Sequence, residues 1–182
     1  MNFIETKING LVIIEPKVFT DERGFFLESY NQKEFAQNGI DVSFVQDNHS
    51  KSTRGILRGL HFQKEPYAQD KLVRVVVGEV LDVAVDLRPD SPTFGQYESV
   101  LLSAENKKLF FIPKGFAHGF IVLSDIAEFQ YKCSNFYSKE SEGGLIWNDP
   151  DVKIDWTIPN PVLNDRDQHW PTLKELKIRL SE

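Results

Sequence analysis

The sequence predicts an all-β fold, a sandwich or barrel of antiparallel strands carrying little helix. Three observations lead there. The stretch VLDVAVDLR (80–88) alternates with a period of two, so that Leu81, Val83, Val85 and Leu87 share one face and Asp82, Ala84 and Asp86 the other. Short apolar runs recur at close spacing with turn residues between them. Helical periodicity is confined to two short segments, which argues against a layout of alternating strands and helices.

The elements follow in order. NQKEFAQNG (31–39) starts on Asn31 as an N-cap with Glu34 three residues later, a capping-box pattern, and stops at Gly39. KLVRVVV (71–77) is rich in β-branched valine, and Gly78-Glu79 offers a turn before the alternating strand at 80–88. YESVLLS (97–103), KLFFIP (108–113), GFIVLS (119–124) and AEFQYKC (127–133) are further strands. RPDSPTFG (88–95), AENK (104–107) and IPKG (112–115) punctuate them. The stretch 147–171 is loop-rich, with prolines at 150, 159, 161 and 171, and TLKELKIRL (172–180) predicts a second short helix at the C-terminus. No repeat, low-complexity tract or long linker divides the chain, so residues 1–182 are expected to form one domain.

Composition narrows the function. A chain of 182 residues, 41% hydrophobic and 26% charged, is long enough to bury a core unaided. The net charge of −6 argues against a general nucleic-acid or anionic-membrane binder, while leaving room for a local basic pocket. The single cysteine, Cys133, cannot form an intrachain disulfide. The start, MNFIETKINGLVIIEPK, lacks a basic region followed by a long apolar run, and no stretch approaches the roughly 18–20 apolar residues of a membrane span. A cytoplasmic protein with neither nucleic acid nor membrane as partner is expected.

IPKGFAHGF (112–120) contains Pro113, Gly115 and His118 in a P-x-G-x-x-H pattern. It resembles the second motif of the cupin superfamily, which implies a jelly-roll antiparallel barrel. Metal-binding cupins place His-x-His and then a glutamate in their first motif. The corresponding stretch here, RGLHFQKEPYAQDK (58–71), has His61 followed by Gln63 and then, after a longer gap, Lys71. A divalent metal wants neutral or anionic ligands, and an ammonium beside it would repel it. The resemblance therefore implies the barrel without the metal: no metal ligand is expected.

His61 is then free to act as a base, since an imidazole titrates near ~6.5 and takes a proton readily close to neutrality. The bland alternative is a core histidine bonded to a backbone carbonyl. Lys71 weighs against it, because a lysine inside a barrel is costly unless it has a task, such as stabilising an oxyanion. A solvated lysine at the strand start is the alternative there. Asp82 or Asp86 could orient a histidine if their face lines the barrel, although alternation leaves a solvated face equally open. Tyr131 and Tyr137 could each donate a phenolic proton.

Taken together, FTDERGFFLESY (19–30), FVQDNHSKS (44–52), RGLHFQ (58–63), KLVRVVVGEVLDVAVDLR (71–88), SPTFG (91–95), IPKGFAHGF (112–120), Tyr137 and EGGLIWNDPD (142–151) resemble the dTDP-4-dehydrorhamnose 3,5-epimerase family, from about Phe19 to Asp167. The resemblance implies a cofactor-independent epimerase of dTDP-L-rhamnose synthesis, which feeds cell-surface polysaccharide. In it, His61 removes the C3 and C5 protons, Tyr137 returns a proton on the opposite face, Lys71 faces the C4 enolate and Asp167 pairs with the base. That last assignment competes with Asp82 or Asp86. The resemblance further implies substrate contacts from Phe19, Arg23, Phe26, Glu28, Gln46, Asp47, Asn48, Arg58, His118, Phe136, Glu142 and Arg166. It also implies a homodimer with exchanged N-terminal strands, in which Arg23 and Glu28 reach the partner's site. Phe136 stands where many members carry tyrosine, and Arg166 where lysine is common.

The chemistry is consistent with these residue types. C3 and C5 both flank the C4 ketone, so one enolate-stabilising cation serves both, and inversion needs two proton-transfer groups across the ring. No hydride moves, and no G-x-G-x-x-G follows a strand. A mono-epimerase or keto-sugar isomerase, a metal-dependent cupin enzyme and a non-catalytic sugar-binding barrel are the competing classes.

Overall fold

A computed structural model of the protein describes residues 1–180. Thirteen strands and two short helices make up its regular structure: β1 (Asn2–Glu5), β2 (Val12–Glu15), β3 (Val18–Asp21), β4 (Gly24–Leu27), α1 (Gln32–Gln37), β5 (Gln46–Thr53), β6 (Leu57–Gln63), β7 (Lys71–Val77), β8 (Glu79–Asp86), β9 (Tyr97–Ser103), β10 (Leu109–Ile112), β11 (Phe116–Val122), β12 (Ile126–Cys133), β13 (Glu142–Gly144) and α2 (Leu173–Leu180). The two helices fall where the pattern predicts them, and Asn31 caps α1 by accepting the Glu34 N–H at 3.2 Å.

Two sheets face each other. One has six strands in the order β1-β2-β10-β7-β12-β5, the other five in the order β13-β6-β11-β8-β9. All pairings between these strands are antiparallel. Strands β3 and β4 form a separate two-stranded hairpin that joins neither sheet.

Between the sheets lies an apolar core. Val73, Val75, Phe110 and Phe129 of the larger sheet meet Val80, Ala84, Phe120 and Val122 of the smaller one. Two further clusters cover the outer faces. Leu57, Val83, Val85, Ala117 and Ile121 lie under Leu145, Val152, Trp156 and Leu176 of the C-terminal segment. Ile14, Leu72 and Leu109 pack beneath Phe35 of α1 and Ile40. Strand β8 is therefore buried on both faces, which decides between the two alternatives left open for its aspartate face in favour of the buried one: Asp82 and Asp86 are both 0% exposed. Burying a carboxylate requires hydrogen-bonding partners, and each of the two has its own.

The strands that sequence patterning overlooks are those with little apolar alternation. QDNHSKST of β5 is polar throughout, yet its residues alternate between half-buried and exposed. Its inward face meets a polar cavity in place of the core, so the hydrophobic signal is missing even though the pleat is present.

Candidate active site

A cavity of about 410 Å³ lies at the end of the barrel where the apolar core gives way to polar side chains. Its walls come from alternate residues of β5, from Arg58 and residues 61–63 of β6, from Lys71 at the start of β7, from His118 and Phe120 on β11, from β12, from Glu142 of β13 and from the segment after it. Because alternate side chains share a face, Gln46, Asn48 and Ser50 line it together, as do His61 and Gln63.

His61 sits on β6 directly opposite His118 of β11. Its Nε2 lies 2.7 Å from Oδ1 of Asp167, which is 1% exposed. The Asp167 carboxylate is held by further donors: the Gly59 N–H at 3.2 Å, Trp170 Nε1 at 3.3 Å and Arg166 Nε at 3.3 Å. Its own N–H donates to Asn164 Oδ1 at 2.7 Å. Burial would raise the carboxyl's pKa, but the His61 and Gly59 hydrogen bonds, with the His61 and Arg166 charges, outweigh it and hold the group below its ordinary range. An anionic acceptor fixes the His61 proton on Nε2, which leaves Nδ1 as the basic nitrogen. Arg166 Nη2 stands 3.4 Å from that same Nε2. Both atoms are donors, so this is a neighbouring positive charge and not a hydrogen bond.

Glycine makes this junction possible. Gly59 has φ +143°, and a Cβ on it would lie 2.5 Å from the Gly119 Cα, so β6 and β11 approach at this point only without side chains.

The second imidazole has a different partner. His118 Nε2 lies 3.0 Å from each carboxylate oxygen of Asp82. Burial pushes the His118 pKa down, Asp82 opposes the shift, and the charges of Lys71 and His61 add to it. Asp86 is committed elsewhere: Arg88 Nη2 at 2.7 Å, Thr93 Oγ1 at 2.6 Å and Ser91 Oγ all donate to it. Neither strand aspartate orients His61, because their places along the shared face of β8 put Asp82 beside His118 and Asp86 beside the 88–93 turn. Asp167 alone is bonded to it.

Lys71 projects into the same cavity from the first position of β7, opposite Cys133. Among the described residues no carboxylate lies within 4 Å of its ammonium. Burial lowers its pKa, and the negative potentials of Cys133, Asp82 and Glu142 oppose the shift. Its ammonium is therefore a half-buried cation without an ion pair among the described residues, placed to donate to an oxygen in the cavity.

Tyr137 lies at the rim, 52% exposed, with its hydroxyl donating to Glu142 Oε2 at 3.3 Å. Glu142 in turn accepts from Arg166 Nη1 at 2.7 and 2.8 Å. Loss of water contact and then the Glu142 charge and hydrogen bond raise the Tyr137 pKa, with Arg166 opposing. Tyr131 also lines the cavity, so both phenols considered from the sequence are present.

The remaining sequence candidates divide. Gln46, Asn48, Arg58, His118, Glu142 and Arg166 line this cavity. Asp47 does not: it sits on the opposite face of β5, where Lys132 Nζ donates to it at 3.0 Å. Phe19 and Phe26 are exposed on the β3–β4 hairpin, Arg23 pairs with Asp21 in its turn, and Glu28 accepts from Asn31 Nδ2. None of these four lines the cavity, and Phe136, 61% exposed, flanks it beside Tyr137. Sequence reasoning overlooked Gln63 as a site residue, treating it only as a missing ligand. Its signal was available in the amide itself, which carries both a donor and an acceptor.

A cupin barrel raises the question of a metal. The residues do not fit one: among the described residues no three His, Cys, Asp or Glu side chains converge as ligands, the Gln63 amide is engaged with backbone, and the Lys71 ammonium lines the same space. Among the described residues no helix is long and apolar enough to cross a membrane.

Comparison with known proteins gives one answer. The model of the family described as dTDP-4-dehydrorhamnose 3,5-epimerase matches residues 5–175. A dTDP-4-dehydrorhamnose 3,5-epimerase of Shigella flexneri is 64% identical over 168 residues, covering 92% of this chain and 93% of the relative. That of Escherichia coli K12 is 58% identical over 182 residues, covering 99% and 98%. The crystal structure of a dTDP-6-deoxy-D-glucose-3,5-epimerase from Legionella pneumophila in complex with dTDP-4-keto-L-rhamnose superposes with a TM-score of 0.92 at 51% identity, covering 96% of each chain.

Proposed function

The chain belongs to the dTDP-4-dehydrorhamnose 3,5-epimerase family, and we propose that its cavity epimerises dTDP-4-dehydro-6-deoxy-D-glucose at C3 and C5 to dTDP-4-dehydro-L-rhamnose. The observation that carries this reading is the grouping, in one cavity, of an imidazole tied to a buried carboxylate, an unpaired lysine and a rim phenol. His61 Nδ1 removes the proton alpha to the C4 ketone, and the electron pair delocalises onto the C4 oxygen. Lys71 donates to that oxygen, and its lowered pKa makes it a stronger donor there. Tyr137 then delivers its hydroxyl proton to the opposite face of the same carbon. Asp167 stabilises the imidazolium formed on His61. Repetition at the other alpha carbon completes the double inversion with no metal or nicotinamide.

Gln46, Asn48, Arg58, His118, Glu142 and Arg166 would contact the dTDP-sugar directly. The exposed hairpin supports a homodimer. Phe19, Phe25 and Phe26 are 52%, 59% and 69% exposed on a two-stranded sheet that pairs with neither larger sheet. An isolated hairpin with an apolar surface calls for cover. Exchange of this hairpin between protomers would deliver Phe19, Arg23, Phe26 and Glu28 to the partner's cavity. Packing of the C-terminal segment on the smaller sheet supports one cupin-type unit over the whole chain. The acidic net charge and lone free thiol favour a cytoplasmic setting.

Proton NMR of dTDP-4-dehydro-6-deoxy-D-glucose with the protein in deuterated water tests the reaction. Loss of signal at both C3 and C5, without added metal or nicotinamide, is the expected result. Loss at one carbon reassigns the protein to a mono-epimerase, and loss at neither removes the reading.

A further inference from the structure

Gln63 follows His61 by two residues on β6 and shares its face of the strand, yet it is only 8% exposed. Its Oε1 accepts the Ser138 N–H at 3.2 Å. Its Nε2 donates to the Phe136 carbonyl at 3.2 Å and to the Tyr67 carbonyl at 3.2 Å. One side chain thus grips the backbone on both sides of Tyr137, and ties that segment to the loop that follows β6. The Tyr137 N–H itself donates to Gln46 Oε1 at 3.1 Å. Of the other ties of this segment, Gln69 to the Asn135 carbonyl at 2.8 Å and Asn135 to the Pro66 carbonyl at 3.0 Å lie on the N-terminal side of Tyr137, and the Lys64 N–H to the Ser141 carbonyl at 2.8 Å lies four residues beyond it, so Gln63 makes the ties nearest the phenol on each side.

The side-chain chemistry is specific. A neutral primary amide supplies an acceptor and two donors from one planar end. A carboxylate of equal length keeps the acceptor and loses the donors, and an aliphatic chain loses both. Tyr137 is half exposed, and its hydroxyl has a single long bond to Glu142, so the phenol is located mainly by its backbone.

We infer that Gln63 is a positioning residue for proton return, setting the Tyr137 phenol over the carbon that His61 deprotonates. The inference rests on the epimerase reading above. In each half-reaction a C–H bond breaks, its proton goes to His61 Nδ1 and its electron pair to the C4 oxygen. A new C–H bond then forms with the Tyr137 hydroxyl proton on the opposite face, water reprotonates the phenolate, and the imidazolium releases its proton to water. If the phenol is displaced, the enolate still forms. His61, now carrying a solvent proton, returns it to the original face, and the outcome is exchange without inversion.

The test follows substrate in deuterated water with wild type, Gln63→Met, Gln63→Glu, Tyr137→Phe and the Gln63→Met/Tyr137→Phe double variant. Deuterium in recovered substrate is compared with epimerised product, and thermal unfolding checks that each variant is folded. A displacement of about 1 Å costs a proton transfer roughly a hundredfold, so inversion per exchange event is expected to fall about tenfold or more in Gln63→Met. Gln63→Glu, whose second oxygen would face the Phe136 and Tyr67 carbonyls with no proton to donate, should fall at least as far, and Gln63→Met should add nothing in the Tyr137→Phe background. Parallel loss of exchange and inversion in the Gln63 variants, or an equal further loss in the Tyr137→Phe background, would overturn the inference. A wild-type protein that neither exchanges nor inverts overturns the epimerase reading itself.

Discussion

His61 Nε2 and Asp167 Oδ1 lie 2.7 Å apart although 106 residues separate them in the chain. The carboxylate is almost fully buried and takes three more hydrogen bonds besides this one. The imidazole is accordingly fixed in one tautomer and one orientation before any ligand arrives. Asp167→Asn keeps the shape but removes the anion that holds the proton on Nε2. We expect kcat to fall by about 10²–10⁴-fold with KM little changed. Steady-state kinetics on the purified variant would decide it; an undiminished kcat would remove Asp167 from the mechanism.

Lys71 is a cavity cation without an ion pair among the described residues, and one enolate oxygen serves both alpha carbons. Lys71→Met is therefore expected to lower exchange at C3 and at C5 by a similar factor, about 10²–10³. A loss confined to one carbon, measured by proton NMR in deuterated water, would mean that Lys71 serves something other than that oxygen.

Asp86 should be visible in acid denaturation. Burial alone would raise its pKa, but Arg88, Ser91 and Thr93 bond to it and hold it at about 2, below the ordinary 3.8. A carboxyl depressed in the folded state contributes stability that is present above pH 3.8 and is lost as pH falls through 2. The contribution is about 2 kcal/mol. Denaturant melts between pH 5 and pH 2 should show this loss in wild type and a flatter profile in Asp86→Asn, although the variant begins from lower stability. Identical slopes would refute the assignment.

The hairpin can be tested by its apolar surface. Phe26 is 69% exposed on β4, and an aspartate there would leave the chain's own core untouched. Phe26→Asp is expected to weaken self-association at least tenfold and to raise KM with it. Sedimentation of wild type and variant would check this. A variant that associates as tightly as wild type would show that the hairpin is not the dimer contact.

Much of this could be read along the chain, and what could not has physical reasons. Strands facing the core announced themselves through alternation, whereas β5 lines a polar cavity and carries no apolar period. The faces of β8 were correctly separated, but alternation does not say which face lies between the sheets: Ala84 and the aspartates point inward, and the valine face is covered from outside. Leu145, Val152 and Trp156 come from a loop-rich segment with no periodicity, and they are what covers the outer face of the smaller sheet.

The site divides along the same line. Residue types carry the expectation: one histidine with an amide in place of a second ligand, and a lysine in place of a carboxylate, are the groups that proton transfer next to an oxyanion requires. Those features are local and survive in a string of letters. Pairing is not local. Whether Asp82, Asp86 or Asp167 meets His61 depended on the register of β11 against β6 and β8, which gives Asp82 to His118, and on the turn after β8, which gives Asp86 to Arg88. It depended also on a short turn at residues 166–168 that brings Asp167 to the Gly59 N–H. The task of Gln63 was hidden for the same reason, since its partners are backbone groups that carry no letter of their own. The sequence by itself determined which proton-transfer groups the chain has to offer; only the tertiary structure decided which neighbour holds each of them, because hydrogen-bond partners at these separations are chosen by chain geometry.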